Sequence, residues 1–251
     1  MIESTPINFD LFTAGTGVAA FVAGGTVKRT LGVGLPLVTV PILSLAVPVP
    51  LAISLVAVPV LPSNVWQAYD SGISIVGARR FASLSVALVV TTLLTVPLTL
   101  AMSARVLNAI VAIVVILAVI LMSIRVKITI SKQHEKIASP VIGALSGVMG
   151  GVSSLTGPII ISYLMALKLS REEFVGSIGL IYLAGALPLY ASFVAYGRLG
   201  AEELALSAAA MTPVAVGLAR GKALRGRLNE GGFRRILLVF LCAVAVALLL
   251  R

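Results

Sequence analysis

Along the 251-residue chain, apolar positions gather in long unbroken runs, and the polar positions sit in short junctions between them. The runs cover about 8–27, 35–47, 51–69, 81–102 and 106–124, then 138–151, 158–169, 174–196, 201–219 and 233–250. Crossing the hydrocarbon of a bilayer takes about 20 helical residues. Most runs are long enough. The runs 35–47, 138–151 and 158–169 are not, and stretches of that length suit re-entrant or broken helices. The pattern predicts an all-α polytopic membrane protein.

Composition strengthens this reading. Hydrophobic residues make up 59% of the chain and charged residues 11%, against about 25% charged in a soluble domain. Mean hydropathy is +1.12. A chain of this length cannot hide so much apolar surface in its own interior, so the lipid bilayer is its solvent. The formal charge of +10 would fit a nucleic-acid binder. However, the cations lie in clusters between the apolar runs, as the positive-inside rule requires, and nucleic acid is not an expected partner. With the N-terminus outside and each run reversing the side, 16 of the 19 Lys and Arg fall in cytoplasmic junctions. Arg105, Arg198 and Arg251 are left outside. The expectation is a bacterial cell (inner) membrane protein with N-out and C-out topology. The early charges are Glu3 and Asp10, with no basic n-region, which argues against a cleaved signal peptide.

The basic segment 126–137 reads as a cytoplasmic linker between halves 1–125 and 138–251, each with five apolar runs. The first half starts outside and the second inside. Similar halves in that relation form an inverted repeat, a plan common in secondary transporters. Pro36 and Pro158 are 122 residues apart, and the same offset pairs Gly25 with Gly147 and Leu45 with Leu167.

Two Gly-rich breaks stand at matching points, Thr30–Pro36 and Gly150–Pro158. Irregular backbone at membrane depth must be covered by protein or line a polar cavity. Each break feeds a run whose first turn holds a proline, as a helix start allows. A helix N-terminus offers free N–H groups and partial positive charge, both of which favour an anion. Thr30, Gly32, Val33 and Gly34 in one break and Ser153, Ser154, Thr156 and Gly157 in the other are the candidate binding residues. The plainer reading of these glycines is close helix packing. Lys28 and Arg29 precede the first break. They either serve as counter-charge to an anion or form an ordinary cytoplasmic junction that sets topology. A cation at mid-bilayer on a lone helix costs about 2.5–3.5 kcal/mol on insertion scales, so in the first case it needs a partner.

A second polar set lies in run three, where Pro59 and Pro62 should kink the helix. Asn64 and Gln67, three residues apart, share a face and could line a cavity or bond a neighbouring helix. Tyr182 in run eight could join the same cavity or form part of an aromatic belt. No Asp or Glu occupies the centre of any run, which disfavours cationic or metal substrates. There is one histidine, His134, in a polar stretch, and one cysteine, Cys242, in an apolar run. No P-loop is present, and no metal or catalytic cluster can be built, so neither an enzyme nor a cofactor is expected.

At the two breaks the sequence resembles the sulfite exporter TauE/SafE family, also called the toluene sulfonate uptake permease family. The residues that carry the likeness in the first half are Gly24-Gly25, Gly32-Val33-Gly34 and Pro41-Ile42-Leu43. In the second half they are Gly147, Gly150-Gly151, Thr156-Gly157-Pro158 and Tyr163-Leu164. The Pro59, Asn64 and Gln67 pattern resembles one branch of the family. The likeness implies a secondary transporter for a small anion, an organosulfonate or sulfite-like oxyanion, working by alternating access of two inverted repeats. The chain departs from the family in having Leu35-Pro36 where many members continue with glycine, and in carrying Lys28-Arg29 between the glycines. Two other readings stay open: an amino-acid or zwitterion exporter, and a non-transporting membrane anchor subunit. The sequence leaves the oligomeric state open, a homodimer included.

Overall fold

The computed structural model describes residues 10–31, 34–70, 79–123, 129–225 and 230–251. All regular structure among them is helical. The helices are α1 (Leu11–Leu31), α2 (Pro36–Leu43), α3 (Val49–Leu55), α4 (Ala57–Asp70), α5 (Ala82–Ala101) and α6 (Ala104–Ser123) in the first half. The second half holds α7 (Lys132–Ser153), α8 (Gly157–Ala166), α9 (Arg171–Ala195), α10 (Ala201–Ala209), α11 (Met211–Arg225) and α12 (Glu230–Leu249). Six stretches are long and apolar enough to cross a membrane: Leu11–Thr30, Ala82–Ala101, Ala104–Ser123, Glu172–Ala195, Ala201–Leu224 and Gly231–Leu249. The bent pair α3–α4 makes a seventh if it is one span.

The 122-residue offset extends to the whole order of elements. Shifted by it, α1, α2, α3–α4, α5 and α6 land within a few residues of α7, α8, α9, α10–α11 and α12. Packing repeats in the same exchange: α1 lies mainly on α11, and α7 mainly on α5. The two contacts are made in the same way. A Cβ at Gly143, Gly147 or Gly151 would run into Leu84, Leu88 and Thr95 of α5, and one at Gly25 would sit 2.6 Å from the Val214 carbonyl oxygen of α11. Hydroxyls cross both seams: Thr92 and Thr99 donate to the Gly147 and Gly151 carbonyls, and Thr26 donates to that of Gly217. These glycines therefore do pack helices closely, as membrane interfaces favour.

The faces of α5 show which solvent the fold expects. Leu84, Leu88, Thr92, Thr95 and Thr99 are buried, whereas Val86, Val90, Leu94 and Leu98 are exposed. The apolar stripe points outward and the hydroxyls inward, the arrangement of a helix in lipid.

Two expectations need correcting. The run 138–151 is not a short helix but the end of α7, which has 22 residues. Its first turns are polar, so hydropathy did not register them. For the same reason the stretch 126–137 is not all linker, since α7 begins at Lys132 and includes His134. The kink expected in run three falls at Val56, three residues before Pro59, with 46° between α3 and α4. Proline at 59 clashes with and strips the partner from the carbonyl four residues earlier, which is Leu55. Ser207 of α10 repairs the break by donating to the Leu55 carbonyl at 2.7 Å and accepting from the Val58 N–H at 3.0 Å.

At the other end of α5, Arg80 makes a two-pronged ion pair with the buried Glu135 of α7, with Nη2 to Oε2 at 2.8 Å. Donating to the Glu135 carboxylate raises the Arg80 pKa above the usual arginine value.

Candidate functional site

The chain of α1 runs into the first break and restarts as α2, with Pro36 in the first position. In the second half α7 ends at Ser154, whose φ of 61° is left-handed, and α8 restarts at Gly157-Pro158. Neither α2 nor α8 has a side-chain cap at its N-terminus. The two breaks come together, and a cavity of about 30 Å³ lies where they meet. It is bordered by Lys28 of α1, Gly34–Leu37 of the first break, Val60 and Asn64 of α4, Gly150 and Ser154–Gly157 of the second break, and Tyr182, Gly185, Ala186 and Leu189 of α9.

Tyr182 joins the two breaks. Its ring edge lies 3.4 Å from where a Cβ of Gly34 would stand, and its hydroxyl 2.7 Å from that of Gly157. At Gly157 a side chain would collide with the hydroxyl, whereas at Gly34 it would stand at ordinary contact distance from the ring. The hydroxyl is buried and has no hydrogen-bond partner among the described residues. An unsatisfied buried hydroxyl is costly, so it marks a place where a further acceptor would be welcome.

Lys28 supplies the charge. Its ammonium donates to Ser63 Oγ at 2.6 Å and reaches Asn64 Oδ1 at 3.5 Å, both on α4. Ser63 in turn donates to the Val60 carbonyl at 2.9 Å, so its oxygen is free to accept from Lys28. No carboxylate borders the cavity among the described residues. The helix ends alone would not fix the sign of the field there. The C-terminal end of α7 brings partial negative charge beside the partial positive N-terminus of α8. When Lys28 is protonated, it gives the site its net positive character.

Of the residues singled out from the sequence, Lys28, Gly34, Asn64, Ser154, Thr156, Gly157 and Tyr182 border the cavity. Gly32 and Val33 lie outside the described residues. Four others are not on the cavity wall. Thr30 is buried and donates to the Thr26 and Val27 carbonyls of its own helix. Ser153 donates to the Met149 carbonyl. Gln67 Nε2 donates to the Val175 carbonyl at 3.4 Å, which ties α4 to α9. Arg29 is exposed. Its stem lies beside Gly221 of α11. Sequence reasoning missed the apolar wall made by Val60 and by Gly185, Ala186 and Leu189. Their spacing carried the signal: Val60 is one turn before Asn64, and the other three follow Tyr182 at +3, +4 and +7, on one helix face.

A family model described as Sulfite exporter TauE/SafE matches residues 17–248, nearly the whole chain. No curated protein and no solved structure gives a match.

Proposed function

The chain belongs to the sulfite exporter TauE/SafE family of membrane permeases, and from that premise we propose that it carries a small sulfur oxyanion, sulfite or a compact sulfonate, through the cavity between its two breaks. The observation that carries this reading is the donor set around one small space. A single cation, Lys28, an unpartnered hydroxyl, Tyr182, and the uncapped start of α8 converge there without a carboxylate. Charge-assisted donors around a pocket of this kind suit an oxyanion. As it stands the cavity has room for little more than a water molecule or two, which favours a compact anion over a bulky aromatic sulfonate.

The rest of the site follows from the same geometry. Asn64 holds Lys28 in place and can also donate its amide N–H groups to the anion. Ser154 and Thr156 add hydroxyls. The two halves, with their exchanged packing, form inverted repeats that rock against each other, with N-out and C-out topology in a cell inner membrane. The zwitterion reading is weaker, because Lys28 would repel the substrate ammonium and no bordering carboxylate would attract it.

A thermal-shift screen of the purified protein against sulfite, methanesulfonate, small carboxylates and amino acids tests the reading. Stabilisation by sulfite or methanesulfonate is expected, growing with concentration as ligand linkage requires. Stabilisation by amino acids alone, or by none of these at millimolar concentration, would overturn it.

A further inference from the structure

Lys28 is placed to do more than attract. An ammonium has three N–H donors and a neutral amine has two, plus one lone pair. The structure gives Lys28 two acceptors, Ser63 Oγ and Asn64 Oδ1, both neutral. Those two acceptors match the two N–H groups of the neutral amine. The ammonium has one N–H more than these two acceptors take, and Lys28 borders the cavity. An anion would accept that third N–H and neutralise the charge.

The surroundings leave Lys28 as the group that must change. On α4 it faces Ser63 and Asn64, which do not titrate. The second break brings Ser154 and Thr156. The only other titratable group bordering the cavity among the described residues is the Tyr182 hydroxyl of α9, an acid in its own right only at alkaline pH. The segment Pro36–Leu43 of α2 has no ionisable residue. On α8 the Tyr163 hydroxyl is already engaged with Ser139. On α11, Arg220 and Lys222 are exposed. Arg234 and Arg235 of α12 do not border the cavity. With no fixed negative charge at the site, a loaded cavity is neutral when Lys28 is protonated, and an unloaded one is neutral when it is not. A site that crosses a membrane in both states favours neutrality in both.

We propose that Lys28 couples transport to protons, taking up one proton as the anion binds and releasing it as the anion leaves. The inference rests on the reading of this cavity as the anion site. The step balances as an amine lone pair plus a proton plus an anion giving an ammonium–anion pair, with no electron transfer. Anion and proton would then cross together, one for one.

The test uses the full-length purified protein in weakly buffered detergent solution with a pH indicator. Methanesulfonate is the probe, because it stays ionised across the working range and brings no proton of its own. Binding is followed in parallel by thermal shift, with sulfite as a second ligand. The expected result is uptake of close to one proton per methanesulfonate bound at alkaline pH. Affinity should fall about tenfold per pH unit once the free amine dominates. In K28R, whose charge is permanent, proton uptake per bound anion should vanish and the pH dependence flatten. Binding by the unaltered protein without proton uptake would overturn the coupling and leave the anion site standing. Proton uptake that persists in a folded K28R would overturn the assignment to Lys28. If neither ligand shifts the melting temperature at any pH, the anion site itself is wrong, and the coupling falls with it.

Discussion

The Tyr182 hydroxyl allows a test in which stability and binding move in opposite directions. In Tyr182→Phe the ring that fills the space between Gly34 and Gly157 is kept, and only the oxygen is lost. That oxygen is buried without a partner among the described residues, and carrying such a group costs about 1–3 kcal/mol. Its removal should leave the unliganded protein as stable or more stable, by up to about 2 kcal/mol. For a chain of this size each kcal/mol moves the melting temperature by about 2–4 °C. Binding should suffer. A hydrogen bond to a charged acceptor contributes about 1.5–3 kcal/mol, so the affinity for sulfite should drop about 10- to 150-fold. Thermal melts in detergent, with and without ligand, read both effects in one titration. If Phe at 182 lowers the melting temperature and leaves the ligand response intact, the hydroxyl is structural and the donor set has been misread.

Other outcomes follow from particular contacts. Gly157→Ala should weaken anion binding at least tenfold in the same titration, because its Cβ would meet the Tyr182 hydroxyl at 2.7 Å. Gly143→Ala should be destabilised relative to Gly17→Ala by about 1–3 kcal/mol in equilibrium unfolding. The first meets the Leu84 backbone while the second meets nothing within 4 Å, and the gain in helix propensity cancels between them. Ser207→Ala should cost about 1–3 kcal/mol in the same assay, since it leaves both the Leu55 carbonyl and the Val58 N–H at the α3–α4 bend without Ser207. Arg80→Ala should cost about 1–2 kcal/mol, between the exposed and buried limits, because the Arg80 side chain is 36% exposed and that of Glu135 only 11%.

What the sequence revealed depended on whether the determining force was local. The order of helices was legible because hydropathy and proline punctuation act on neighbouring residues. The 122-residue offset was visible in a few identities, and the helix order follows it to within a few residues. The polar start of α7 escaped because a helix leaving the bilayer loses its apolar signal while keeping its backbone bonds. Side-chain direction was the least legible property. Thr30 and Ser153 have hydroxyls that turn back on their own helices, as Ser and Thr often do. Gln67 was grouped with Asn64 by spacing, yet it bonds across to α9. A one-dimensional pattern says which residues share a face but not what that face meets.

Lys28 and Arg29 show the same limit at its sharpest. The positive-inside rule accounts for both equally and assigns neither to a site. Adjacent residues on a helix point about 100° apart, so a pair beside a break need not share a role. Arg29 is exposed, with its stem against Gly221. Lys28 turns to Ser63 and Asn64 on a helix that begins 29 residues later in the chain. Only the packing of α4 separates the two cations. The polar stretch that follows Pro59 and Pro62 thus acquires a reason: the bend brings Ser63 and Asn64 to α1, where they hold the charge at the edge of the cavity instead of lining it alone.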